Sequence, residues 1–82
     1  MLRRIVPMEA DAIKFEIVEH FAVLSETKSG WTTELNKVKW NDREAKYDIR
    51  PWDPEHKRMG KGITLTQEEL VKLRDALNKM TL

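Results

Sequence analysis

No cysteine occurs in this chain of 82 residues, and that absence limits its possible folds more than any motif does. A domain of this size buries only roughly 60% of the surface its unfolded chain exposes. Small domains commonly make up the deficit with disulfides, a thiolate-held metal or a second subunit. The first two need cysteine. What remains is a single small domain that gains from pairing with another copy of itself.

Charge selects no partner by its total, since 15 Lys and Arg face 14 Asp and Glu. Residues 28–61 hold nine bases and six acids. Such a mildly basic middle suits an anionic ligand, and equally an ordinary solvated surface. The opening MLRRIVPMEADAI contains no apolar signal core, and nothing approaches the ~20 apolar residues of a membrane span. The expectation is a soluble, cytoplasmic protein that binds no membrane.

Residues 1–12 show no sustained periodicity and are expected to form a loose arm ahead of a domain at 13–82. From Lys14, KFEIVEHFAVLSE alternates Phe15, Ile17, Glu19, Phe21 and Val23 against Val18, His20, Ala22 and Leu24. Its β-branched and aromatic content predicts a strand, bent and partly covered on both faces. TKSG (27–30) reads as a turn. WTTELNKVKW (31–40) is a second strand whose apolar residues change phase: Trp31 and Leu35 share one, Val38 and Trp40 the other. Either a bulge near Asn36–Lys37 resets it, or both faces carry apolar groups. After NDREA, KYDIRPW (46–52) makes a third strand, with Pro51 at its end or on an unpaired edge. A polar loop (53–62) leads to a short fourth strand, GITLT.

Thr66-Gln67-Glu68-Glu69 then forms a capping box, the hydroxyl accepting from the Glu69 N–H and the Glu69 carboxylate accepting from the Thr66 N–H. Leu70, Leu73, Leu77 and Met80 follow at spacings of three and four, an apolar stripe on a helix of about fifteen residues. The layout is β-β-β-β-α, an α+β domain. The stripe can cover its own sheet or meet the same stripe of a second chain.

The chemistry-bearing residues exclude more than they assign. GKGIT lacks the Walker spacing, because Lys61 precedes Gly62 and position 55 is Glu. Gly60 and Gly62 instead let the backbone turn or approach a neighbour closely and set Lys61 at a defined place. His20 and His56 have no catalytic partner at diagnostic spacing and read as structural or solvated. No acid–base set, metal box or cofactor motif is present, so neither enzyme activity nor a metal or cofactor is expected. Trp31, Trp40 and Trp52 stand out, each near bases: Lys28, Lys37, Lys39 and Arg50. An indole's commonest task is to fill a core. Trp40 at a turn and Trp52 at a strand end, however, occupy places that are usually wet, so at least one of the two is expected to be exposed. Exposed aromatics among Lys and Arg on a sheet form a platform for unpaired bases, worth ~1–3 kcal/mol per base.

YDIRPW…PEHKRMGKGITLTQEELVKL resembles the DNA-binding domain of the positive cofactor four family of transcriptional coactivators, with its IDIREYW…DPEG strand and loop and its GRKGISL strand. KFEI, VLSE, GW, ELN, KYDIR and MGKGITL, in order, are similar to its bacterial YdbC-like branch. The resemblance spans about Lys14 to Leu77. It implies a homodimer of curved four-stranded antiparallel sheets joined through the C-terminal helices at Leu70, Leu73, Leu77 and Met80. It further implies binding of single-stranded DNA with little sequence preference, in a nucleoid-associated bacterial protein working with the transcription machinery. It carries over Arg50, Lys61 and Trp52, although IRPW is one residue shorter than IREYW. Trp40 stands for the aromatic at the tip of the second strand, where an ungapped alignment would put Asn41, while Lys37 and Lys39, by neighbourhood, and Trp31 join the expected nucleic-acid-binding set. Stacking and phosphate contacts do not separate RNA from DNA. The rival reading is a protein-interaction adaptor that uses the helix and a sheet edge.

Overall fold

The computed structural model describes residues 14–82; the expected arm at 1–12 lies outside the described residues. Four strands, β1 (Phe15–Glu26), β2 (Thr32–Trp40), β3 (Lys46–Trp52) and β4 (Ile63–Leu65), precede one helix, α1 (Gln67–Asn78). The strands form an antiparallel meander in the order β1-β2-β3-β4. The β-β-β-β-α layout is therefore as expected, with β4 trimmed to three residues.

The curvature originates in β1. Its twelve residues run beside the nine of β2, and the register shifts between Ile17 and Glu19, between His20 and Ala22, and between Val23 and Ser25. Each surplus residue bends the strand and adds twist. The strict alternation expected for this strand is lost at those points, so Phe15, Ile17, His20 and Val23 all lie opposite even-numbered residues of β2. β2 itself pairs with β3 without interruption from Thr32↔Trp52 to Val38↔Lys46. The phase change in WTTELNKVKW is thus not a bulge: β2 carries apolar groups on both faces.

Alternation then sorts the side chains. One face presents Glu34, Asn36, Val38 and Trp40 of β2 beside Asp48, Arg50 and Trp52 of β3. The other presents Thr33, Leu35, Lys37 and Lys39 beside Tyr47, Ile49 and Pro51. Pro51 is the last residue but one of β3, the strand-end place expected for it. Its carbonyl accepts from the Gly60 N–H at 2.9 Å, so its missing donor faces the loop that leads into β4 rather than β2.

Among the described residues the buried apolar side chains are Val38 and Trp52, while Glu34, Asn36, Asp48 and Asp53 are buried polar ones. The first face is therefore closed largely by hydrogen-bonded polar groups. α1 opens on its predicted capping box, with Glu69 N donating to Thr66 Oγ1 at 3.1 Å and Thr66 N to Glu69 Oε1 at 2.8 Å. It ends at Asn78, so Met80 falls just beyond the helix. None of its residues is buried. Tyr47 Oη ties it to β3 by donating to Gln67 Oε1 at 3.0 Å. Leu73, Leu77 and Met80 stay exposed, as do Val18, Phe21, Leu24 and Ile63.

Candidate nucleic-acid interface

Trp40, Arg50 and Lys61, from three separate segments, line one open groove of about 550 Å³ together with Asn41, Met59, Gly60 and Thr64. β2 and β3 bring Trp40 and Arg50 to the same face, and the Arg50 guanidinium carbon sits 4.6 Å from the Trp40 ring centroid, a cation–π geometry. Arg50 is held from behind. Its Nε and Nη2 donate to Asp48 Oδ1 and Oδ2 at 2.6 and 2.8 Å, and Nη1 reaches Met59 Sδ at 3.5 Å. Thr64 Oγ1 donates to Asp48 Oδ2 at 3.1 Å. Asp48 is fully buried, so this fork fixes the guanidinium plane and offsets its charge. The exposed Lys61 supplies the groove's net positive charge.

The two glycines around Lys61 act through close approach. A Cβ on Gly60 would lie 2.6 Å from Pro51 Cγ, and one on Gly62 would lie 2.2 Å from Arg50 Cβ and from the Ile49 carbonyl oxygen. Any side chain there would push the segment away from β3, and Lys61 with it. The sequence reading of these glycines holds.

The tryptophans divide. Trp40 keeps partial exposure at the groove. Trp52 has none, so Trp40 is the exposed one of the two, and the expected place of Trp52 in the nucleic-acid-binding set is corrected: it packs 5.2 Å from Phe15 and stacks on the His56 ring at 5.9 Å. The cause is the loop after β3. Asp53 Oδ1 accepts from the Lys57 and Arg58 N–H groups at 2.8 and 2.7 Å, which curls the loop back over the indole. Those backbone N–H groups, the Arg58 bond first, hold the Asp53 carboxyl below its ordinary value. Trp31 lies at the other end of β2, roughly 30 Å away at about 3.3 Å per residue. Lys37 and Lys39 lie in the opposite phase from Trp40, and Lys37 caps the Tyr47 ring at 5.4 Å. Of the seven residues expected to touch nucleic acid, three meet in one groove.

These elements recur in known proteins. Residues 27–76, more than half of the chain, match the family described as Transcriptional Coactivator p15 (PC4). The chain belongs to this family. It is also 47% identical over 72 residues to an uncharacterized protein of Treponema pallidum (strain Nichols), covering 88% of this chain and 85% of that protein. The match to the coactivator family runs from the turn before β2 into α1 and so includes all three groove residues. The family is one of coactivators rather than enzymes, and among the described residues no three His, Cys, Asp or Glu side chains are placed to hold a metal.

Sequence reasoning missed a second cluster on the same face of this family member. Glu34, buried on β2, accepts from Thr32 Oγ1 at 2.5 Å, Asn36 Nδ2 at 3.0 Å and His56 Nε2 at 2.8 Å. Burial pushes its carboxyl up, but the bonds from Thr32, Asn36 and His56, with the His56 charge, outweigh burial and hold it below the ordinary value. His20 Nδ1 lies 2.7 Å from Asn36 Oδ1 and 3.5 Å from Glu34 Oε1. The signal lay in phase: Glu34 and Asn36 share that of Trp40, so polar residues stand where the pattern calls for a core.

Proposed function

We propose that this protein binds single-stranded DNA with little sequence preference, as a coactivator-like regulator of transcription in the YdbC-like branch of its family. The stack of Arg50 on Trp40 beside Lys61 carries this reading. An unpaired base extends the Trp40–Arg50 stack, since every base has a π-face and both indole and guanidinium planes accept one. Lys61 neutralises the adjoining phosphate. Arg50, already matched by Asp48, serves mainly as a stacking plane and as the brace for Trp40. Trp52 contributes from beneath by supporting Phe15, which lies 6.2 Å from Trp40. Lys37, Lys39 and Trp31 belong to other parts of the surface and contribute at most long-range attraction along this path. RNA fits the same chemistry.

The working unit is a homodimer. Leu73, Leu77 and Met80 on the helix side, with Leu70 half-buried beside them, leave a stripe that the single chain does not cover. A second copy of α1 covers it with like residues, which supports the pairing expected from chain size. Leu77→Glu is then expected to give a monomer in sedimentation, and an unchanged sedimentation coefficient would refute the helix-mediated dimer. The functional test is titration with single- and double-stranded oligomers of equal length at two salt concentrations, followed by tryptophan fluorescence. Quenching by the single strand is expected, with affinity falling at a slope of ~−0.7 per phosphate contacted. Trp40→Ala and Lys61→Ala should each weaken binding. No retention of oligonucleotide at low salt, together with salt-insensitive capture of a protein, would favour the adaptor reading.

A further inference from the structure

A second groove, about 660 Å³, opens on the same sheet face at the β1–β2 hairpin end, and the proposed binding mode makes no use of it. Its floor is apolar, from Ile17, Val23 and Pro54, and His20, Glu34 and His56 stand around it. The hydrogen bonds determine which ring nitrogens carry protons. Asn36 Nδ2 donates to Glu34, so Asn36 Oδ1 is an acceptor and the His20 Nδ1 facing it carries the hydrogen. His56 Nε2 faces the Glu34 carboxylate and likewise donates. Each imidazole is thus locked by one nitrogen, while its second nitrogen has no partner among the described residues. The side chains remain 49% and 40% exposed. They are flat, oriented rings at the rim of an apolar trough.

The charges say which part of a polynucleotide fits. Glu26 lines the groove beside Glu34, and two carboxylates repel a phosphate. They do not repel a neutral heterocycle, which can lie on the apolar floor, stack against an imidazole and hydrogen-bond to a free ring nitrogen. The trough shares no lining residue with the Trp40 groove, and the buried Val38, Asn36 and Trp52 lie between them on one sheet face. Glu34 and Trp40 lie on one strand and one face, roughly 20 Å apart at about 3.3 Å per residue. A single strand leaving Trp40 along β2 reaches the trough within a few nucleotides.

We infer that the His20–Glu34–His56 trough is a second nucleobase subsite, which receives an unpaired base several nucleotides along the strand whose first contact is Trp40. The inference rests on the proposed function, and its test separates the two. Imidazole and indole resonances of the intact protein are followed by NMR during titration with oligothymidylates of about two and about twelve nucleotides, the first too short to span the two sites and the second within the range one small domain holds. The short oligomer is expected to move the Trp40 indole signal alone, and the long one to move the His20 and His56 ring signals as well. His20→Ala, with its thermal transition followed alongside because His20 donates to the buried Asn36, should lower affinity for the long oligomer about tenfold, a typical loss for one stacked base. It should leave affinity for the short one unchanged and the salt slope intact. If the long oligomer moves Trp40 but neither imidazole, the second subsite is wrong while the first groove stands. A shallower salt slope in His20→Ala would mean that the trough holds phosphate, and would overturn the assignment to a base. If no oligomer moves Trp40, the proposed function falls, and the second subsite with it.

Discussion

Replacing Asp48 by Asn tests whether the pair beneath the groove is what holds Arg50 against Trp40. Asp48 has no exposed surface, and the Arg50 side chain keeps 14% of its own, so solvent screens the pair little. Removing one partner of a buried pair typically costs ~3–5 kcal/mol, because the other charge stays behind uncompensated. Asparagine retains one carbonyl oxygen for the guanidinium, and Arg50 has a narrow outlet to water. The loss should therefore fall near the lower end, about 3 kcal/mol. For a domain of this size that lowers Tm by roughly 12–24 °C. Urea denaturation of Asp48→Asn, Arg50→Met and the double variant, at one protein concentration, supplies the cycle. The double variant should cost less than the two single changes together by about 2 kcal/mol or more, since neither charge is stranded in it. Asp48→Asn should also steepen the salt dependence of oligonucleotide binding by ~0.7, because Arg50 becomes free to meet a phosphate. Additivity within about 0.5 kcal/mol would refute the coupling, and with it the view that Arg50 is positioned from behind.

Trp52→Ala is expected to cost ~3–5 kcal/mol of stability in urea denaturation, since it empties one of the two buried apolar sites among the described residues; a loss under about 1 kcal/mol would show that the ring is not sealed. Gly62→Ala sets a methyl group against Arg50 Cβ and the Ile49 carbonyl, so both stability and oligonucleotide affinity should fall, stability by about 1–3 kcal/mol; wild-type behaviour in both assays would refute the close approach. Because the Glu34 carboxyl is held below its ordinary value in the folded chain, its stabilising contribution is complete above the unfolded carboxylate range and disappears as pH falls through the folded value. Glu34→Gln should therefore flatten the acid limb of stability against pH, and an unaltered limb would show that the carboxyl is not held by its neighbours.

Much of this molecule was legible because local chemistry decided it. The capping box at Thr66 and Glu69 depends on groups three residues apart and reads directly from the chain. The glycines at 60 and 62 announced a turn or a close approach, and Pro51 a strand end or an unpaired edge, because glycine frees the backbone and proline restricts it wherever they stand. The even phase of Asp48, Arg50 and Trp52 followed from the two-residue period of a strand. Other features needed the fold. Nothing in KFEIVEHFAVLSE marks where three register shifts fall, since bulges arise when a long strand curves beside a shorter one.

Burial of the tryptophans was also a tertiary decision. Trp40 and Trp52 look alike in sequence, each near a strand end and beside bases, yet the loop that Asp53 curls back covers one and leaves the other at the groove. Glu34 looks like an ordinary surface acid until the sheet places His56, twenty-two residues later, against its oxygen. By itself the sequence determined the elements, the cap and the class of chemistry available, because each rests on residues adjacent along the chain. Only the tertiary structure decided which aromatic meets solvent and which charges cancel, because those depend on strands and loops that close over one another from far apart in the chain.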